Sequence, residues 1–217
     1  MIKGVIFDLD GVLVSTDKLH YLAWKRLAQD LGITDFTEQD NARQRGVSRM
    51  ASLQVVLEKS NHSYTDQEKI DFAERKNQYY VELLESLTEK AILPNAAETI
   101  VLLRKKNIQI AVGSVSKNAP AILQRTGLLP LIDKVGCGLD IIRSKPDPEV
   151  FLIAAKKLGQ NPKNCLVVED SEAGIQAAKA AEMKSLALGP EKENPLADYH
   201  AVSLADPSIN WDMIIAS

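Results

Sequence analysis

Val5-Ile6-Phe7-Asp8-Leu9-Asp10-Gly11-Val12-Leu13 is the stretch that decides how this chain is read. Three apolar β-formers run into an aspartate, a second aspartate follows two residues on, and Asp10-Gly11 marks a turn. A short, continuous apolar run bounded by turn residues reads as a buried strand. In an open parallel sheet, ligands bind outside the carboxyl ends of the strands. Asp8 and Asp10 therefore stand where chemistry is expected.

Outward from that strand, residues 18–31 place Leu19, Leu22, Ala23, Leu27 and Leu31 at helical spacing, with Gly32 as the stop. Residues 50–59 form a second amphipathic pattern. Thr65-Asp66-Gln67-Glu68 matches a capping box and opens a long helix reaching about Leu87. From Ser15 to about Thr88 there is no convincing strand. After Pro94 the pattern alternates. Helices are predicted over 99–106, 118–126, 148–158 and 171–181, the last with Ser171 as N-cap. Strands are predicted over 108–112, 135–137, 165–168 and 185–188, and a terminal helix over 209–216. Alternation of this kind predicts an α/β fold with a parallel sheet covered by helices on both faces. The chain reads as an α/β core of residues 1–14 and 92–217, interrupted by a helical cap domain over 15–91.

With 217 residues, 45% hydrophobic and 25% charged, the chain has enough material for a core domain carrying an insert. Net charge is −3 and no basic block is present, which argues against nucleic acid or a membrane surface as partner. Cys137 and Cys165 lie among apolar residues, outside any CxxC or Cys/His cluster, and read as buried reduced thiols. The start turns acidic before a signal peptide could be completed, and no apolar run nears the ~20 residues of a membrane helix. The expectation is a cytoplasmic protein, monomeric, acting on a small molecule.

Polar residues follow several predicted strands at the same end: Asp8 and Asp10 after the first, Ser114, Ser116, Lys117 and Asn118 after the second, Lys145 after the third, Glu169 and Asp170 after the fourth. Four carboxylates on one edge repel one another unless a cation sits among them, and hard oxygen ligands beside a phosphate suit Mg²⁺. A carboxylate can attack phosphorus to give an aspartyl phosphate. A serine hydroxyl and a lysine supply donors to the transferring oxygens. A second carboxylate two residues on can act as acid and base.

Asp8-Leu9-Asp10-Gly11-Val12-Leu13, Ser114, Lys145-Pro146-Asp147-Pro148 and Glu169-Asp170-Ser171-Glu172-Ala173-Gly174 resemble the four motifs of the haloacid dehalogenase superfamily. The resemblance covers essentially the whole chain. It implies a Rossmann-like core with an inserted α-helical cap of four helices, which closes over the site and excludes water. It makes Asp8 the nucleophile, Asp10 the acid/base, and Ser114 and Lys145 the phosphoryl ligands. One Mg²⁺ would be held by Asp8, Glu169, Asp170 and the backbone carbonyl of Asp10. Within the superfamily, His20, Trp24, Gly46-Val47-Ser48-Arg49, Ser52-Leu53, Arg75-Lys76-Asn77 and Ser116-Lys117-Asn118 resemble the β-phosphoglucomutase-like subgroup. By that resemblance Arg49, Lys117 and Asn118 grip the non-transferring phosphate, and His20 and Lys76 link cap closure to Asp10. Trp24 reads as cap packing first, with sugar contact as the other reading. The reaction implied interconverts β-glucose 1-phosphate and glucose 6-phosphate, with glucose 1,6-bisphosphate as primer and intermediate.

The sequence departs from the subgroup at Ser15, Gln44, Arg45, Val115 and Cys137, none of them in the four motifs. Arg for Lys is not neutral where hydrogen-bond geometry matters, so a related phosphosugar, such as a disaccharide phosphate, stays open. So does a phosphatase on the same scaffold, because only the acceptor differs. A phospho-sensing receiver module would also present an aspartate, a hydroxyl and a lysine, but lacks the second aspartate and the helical insert.

Overall fold

The computed structural model describes residues 1–44 and 47–217. Arg45 and Gly46, both singled out by the sequence, lie outside the described residues. In chain order the elements are β1 (Gly4–Phe7), α1 (Asp17–Asp30), α2 (Glu38–Ala42), α3 (Arg49–Leu57), α4 (Asp66–Leu84), α5 (Ala96–Lys105), β2 (Gln109–Gly113), α6 (Ala119–Arg125), β3 (Lys134–Gly136), α7 (Glu149–Leu158), β4 (Cys165–Glu169), α8 (Glu172–Ala180), β5 (Lys184–Ala187), β6 (Tyr199–His200) and α9 (Trp211–Ala216). They fall into two compact units, Met1–Ser15 with Thr88–Ser217, and Thr16–Leu87.

The first unit is built on a six-stranded sheet of order β3-β2-β1-β4-β5-β6. Every pairing is parallel, as the alternation of strands and helices predicts. β1 is central, and its apolar run is fully buried because helices cover both faces of such a sheet. Phe7 is in register with Val112 on one side and Val168 on the other. The residues just past them, Asp8, Gly113 and Glu169, therefore emerge together at the carboxyl edge. Ile6, Ala111 and Val167 form one core with Val150, Phe151 and Ala154 of α7 and Ala177 and Ala178 of α8. Gly113 has to be glycine for this packing: a Cβ there would lie 2.7 Å from Phe151 Cδ1.

The second unit packs α1 and α3 against α4, around Trp24, Leu27, Ala28, Leu53, Val56 and Ala73. Thr65 caps α4 reciprocally with Glu68, as the sequence predicts. The strands and long helices fall within a few residues of their expected positions. Two small elements had no individual sequence signal. α2 spans five residues, too few for periodicity, and is fixed instead by a capping box between Thr37 and Asp40. β6 has two residues and is held by pairing to β5. Both cysteines are free and buried, and burial pushes the Cys165 thiol up to about 11. Among the described residues no helix is long and apolar enough to cross a membrane.

Candidate active site

At the carboxyl edge of the sheet, the Asp8 main-chain N–H donates to Val168 O at 2.9 Å, which locks the aspartate between β1 and β4. The chain then turns at once. Leu13 and Val14 N–H both donate back to Leu9 O, and Gly11 N–H to Val14 O, so Asp10 is carried on a tight loop. Lys145, 5% exposed, reaches in from the segment before α7 and donates to Asp8 Oδ1 and Glu169 Oε1, each at 2.5 Å. Its ammonium also lies 4.7 Å from the Phe151 ring centroid.

Glu169 accepts four hydrogen bonds. Oε1 takes the lysine, while Oε2 accepts from the main-chain N–H of Asp170 at 2.7 Å and of Ser171 at 2.8 Å, and from Ser171 Oγ at 2.9 Å. Ser171 in turn caps α8 by accepting from Gly174 N–H. Two glycines make room for this wall. A Cβ on Gly11, whose φ is +85°, would overlap the Asp170 carboxylate, and one on Gly174 would overlap that of Glu169. The Asp170 carboxylate thus lies against the loop that carries Asp8 and Asp10.

Burial pushes the Asp8 carboxyl well above the usual range. Lys145 pulls it back, and the neighbouring charges of Glu169 and Asp170 raise it again. For Lys145, burial favours losing the proton, but the two carboxylates more than offset this and the net direction is upward. Lys145 pairs with the carboxylates of Asp8 and Glu169, and the Asp170 carboxylate adds negative charge near Asp8, which favours a cation at this wall. Its donors are all oxygen, the chemistry of a hard cation. The expected ion set of Asp8, Asp10, Glu169 and Asp170 is not gathered as a side-chain cage. Among the described residues no group of three His, Cys, Asp or Glu side chains is spaced to hold an ion. A Mg²⁺ ion asks for less, since it uses one or two carboxylates and fills its shell with substrate oxygens and water. The residues present fit that mode.

Ser114 is buried at the end of β2, and its Oγ accepts from Ser116 N–H at 3.1 Å. Ser116 Oγ accepts from Asn118 N–H at 3.2 Å, which folds Ser114 to Asn118 into a compact turn opening α6. Gly138 lies against this turn: a Cβ there would be 2.9 Å from Lys117 N.

The remaining expected residues cluster in the second unit. Arg49 opens α3 and donates to Asn77 Oδ1 at 2.9 Å. Lys76, 4% exposed on α4, lies 2.9 Å from His20 Nδ1. An ammonium only donates, so Nδ1 accepts and the neutral imidazole carries its proton on Nε2. Burial, then Lys76 and Arg49, lower the His20 pKa well below its ordinary value, consistent with that form. Trp24 is buried in the core with its ring 4.6 Å from the Lys76 ammonium. Sequence reasoning missed Tyr80, whose ring faces the same ammonium at 4.7 Å. The available signal was its position, one helical turn after Lys76 on α4.

The sequence profile described as haloacid dehalogenase-like hydrolase matches residues 2–182. The chain belongs to the haloacid dehalogenase-like hydrolase family. The β-phosphoglucomutase of Bacillus subtilis (strain 168) is 39% identical over 86% of this chain and 83% of its own length. A phosphorylated-carbohydrates phosphatase of Thermotoga maritima is 29% identical over 85% and 83%. Among solved structures, the β-phosphoglucomutase of Clostridium difficile superposes with a TM-score of 0.89 at 38% identity, covering 99% of this chain and 96% of that one. The relatives of this chain thus include both β-phosphoglucomutases and a phosphatase of phosphorylated carbohydrates.

Proposed function

We propose that the chain is a sugar-phosphate mutase that interconverts β-D-glucose 1-phosphate and glucose 6-phosphate through glucose 1,6-bisphosphate. The reading is carried by similarity to two β-phosphoglucomutases at 38–39% identity. It is supported by the presence in one unit of the Arg49–Asn77 and Lys76–His20 pairs.

In the first half-reaction an Asp8 carboxylate oxygen bonds to phosphorus and the bond from phosphorus to the sugar oxygen breaks. Asp10 gives its proton to that leaving oxygen. In the second half, Asp10 takes the proton of a sugar hydroxyl, which attacks the phosphoryl group and frees Asp8. Lys145 and Ser114 donate to the equatorial oxygens as charge builds there. Asp8, Glu169, Asp170 and the main-chain carbonyl of Asp10 would hold Mg²⁺, and Glu169 also anchors Lys145. When bound, the ion supplies positive charge against the transferring phosphoryl group. Arg49, Ser116, Lys117 and Asn118 grip the second phosphate, with Trp24, His20 and Lys76 on the sugar side. The setting is cytoplasmic.

The test is one coupled assay. The protein is given Mg²⁺, β-glucose 1-phosphate and a trace of bisphosphate, and glucose 6-phosphate and free phosphate are followed together. Glucose 6-phosphate without free phosphate is the expected result. Free phosphate alone would make the chain a sugar-phosphate phosphatase, the second reading, which similarity to the Thermotoga maritima enzyme favours.

A further inference from the structure

The turn from Ser114 to Asn118 rests on a second loop, the one that leaves β3. Main-chain pairing between β2 and β3 runs on past the ends of both strands. Ser114 N–H donates to Gly136 O at 3.0 Å, and Gly138 N–H donates to Ser116 O at 3.1 Å. There the two main chains come closer than a side chain permits. A Cβ on Gly138 would lie 2.3 Å from Val115 O and 2.9 Å from Lys117 N. Gly138 is buried and does not have a left-handed φ. What demands glycine is therefore the contact with the turn, and not the backbone conformation of Gly138 itself.

Gly138 is held in turn from its other side. The Asp140 carboxylate accepts from Cys137 N–H at 2.9 Å, and Asp140 N–H donates back to Cys137 O at 2.9 Å, which closes residues 137–140 into a tight turn. Lys157 of α7 ties that turn to β3, since its ammonium donates to Asp140 Oδ2 at 2.8 Å and to Val135 O at 2.7 Å. The bond from Lys157 holds the Asp140 carboxyl below its ordinary range, against the opposing effect of burial. A strand and a helix thus fix residues 137–140, and Gly138 passes that fixed position on to Val115, Ser116 and Lys117.

We propose that Gly138 is a positioning residue for phosphosugar binding: its main chain sets where Ser116, Lys117 and Asn118 stand, with Asp140 as the strut behind it. This rests on the reading of those three residues as ligands of the non-transferring phosphate. Neither Gly138 nor Asp140 has to touch the substrate. A binding constellation works only while its members are held within about 0.5 Å of the productive geometry, and a methyl group on Gly138 forces a larger displacement than that.

Two readouts on Gly138→Ala test this together. The first is the main-chain amide NMR resonances of Ser116 and Asn118 in the substrate-free protein, which should move from their wild-type positions. The second is kinetic, with β-glucose 1-phosphate as the probe. KM should rise roughly tenfold to a hundredfold, the worth of one hydrogen bond to a charged group, while kcat changes far less, because Asp8, Asp10 and Lys145 stand on other segments. Asp140→Ala, a change at the exposed side of the loop, should show a smaller KM rise of the same kind. Unmoved Ser116 and Asn118 resonances in folded Gly138→Ala would overturn the proposal, because the turn would then not rest on Gly138. So would moved resonances with an unchanged KM, or a fall in kcat at constant KM. If Gly138→Ala does not fold, Asp140→Ala carries the same two readouts, and an unchanged KM there overturns the proposal. A wild-type chain inactive on every sugar phosphate would overturn the phosphate reading of the turn and the binding role with it, whereas the resonances report on the contact between the two loops independently of any substrate.

Discussion

Lys145 is the residue on which the core site closes, because one ammonium serves two buried carboxylates from different strands. Removing one member of such a group leaves the others buried and uncompensated. Lys145→Ala should destabilise the protein by about 3–5 kcal/mol in urea unfolding. Adding Glu169→Gln should recover part of that loss, because one of the stranded charges is gone. Strict additivity of the two changes would show that the pair does not interact. Asp10 has a different task, and its replacement separates chemistry from folding. Asp10→Asn should leave the thermal midpoint nearly unchanged but lower kcat by about 10²–10⁴, the usual worth of a general acid–base group. Near wild-type turnover in that variant would refute the assignment.

At the scale of elements, the turn from β4 into α8 does two jobs. It caps the helix through Ser171 and fixes Glu169 through three donors, and both depend on the absence of a side chain at Gly174. Gly174→Ala is compatible with a helix by propensity and would stabilise an exposed one. Here the added methyl meets the Glu169 carboxylate, which has to move and take Lys145 with it. Activity should fall on the order of a hundredfold, the scale of a catalytic group displaced by about 1 Å, with the helix content by circular dichroism unchanged. A fully active Gly174→Ala would mean that Glu169 tolerates the shift. Ser171 was legible as an N-cap, from residue type and place alone. Its bond to Glu169 was not, because the register of a turn decides which side chain its hydroxyl faces.

At the scale of the whole molecule, the buried cations of the second unit couple its stability to pH. The His20 pKa is lowered by burial first and by Lys76 and Arg49 next. In the unfolded chain the imidazole takes its proton near pH 6.5, while in the folded protein it stays neutral to lower pH. The unfolded state then binds more protons, so stability is complete above about pH 6.5 and declines as the pH falls toward the folded value. The slope from this one group is at most about 1.4 kcal/mol per pH unit. Urea unfolding between pH 7.5 and 5 should show the decline, and His20→Gln should flatten it. An equal slope in both proteins would assign the effect to other groups.

The sequence alone determined the sheet and the approximate place of the long helices. Val5 to Phe7, Ile110 to Val112 and Leu166 to Val168 are buried on both faces, so hydrophobicity marks them without knowledge of their neighbours. It also placed Asp8, Ser114, Lys145 and Glu169 after their strands, because parallel connections bring successive carboxyl ends to one edge. Only the tertiary structure decided what each group touches. It showed that Glu169 is bonded to Lys145, Ser171 and the Asp170 main chain, and that the Tyr80 and Trp24 rings face Lys76. Strand burial is a local consequence of composition. Contacts between residues as far apart in the chain as Asp8 and Lys145, or His20 and Lys76, depend on strand register and helix packing, which no single segment encodes.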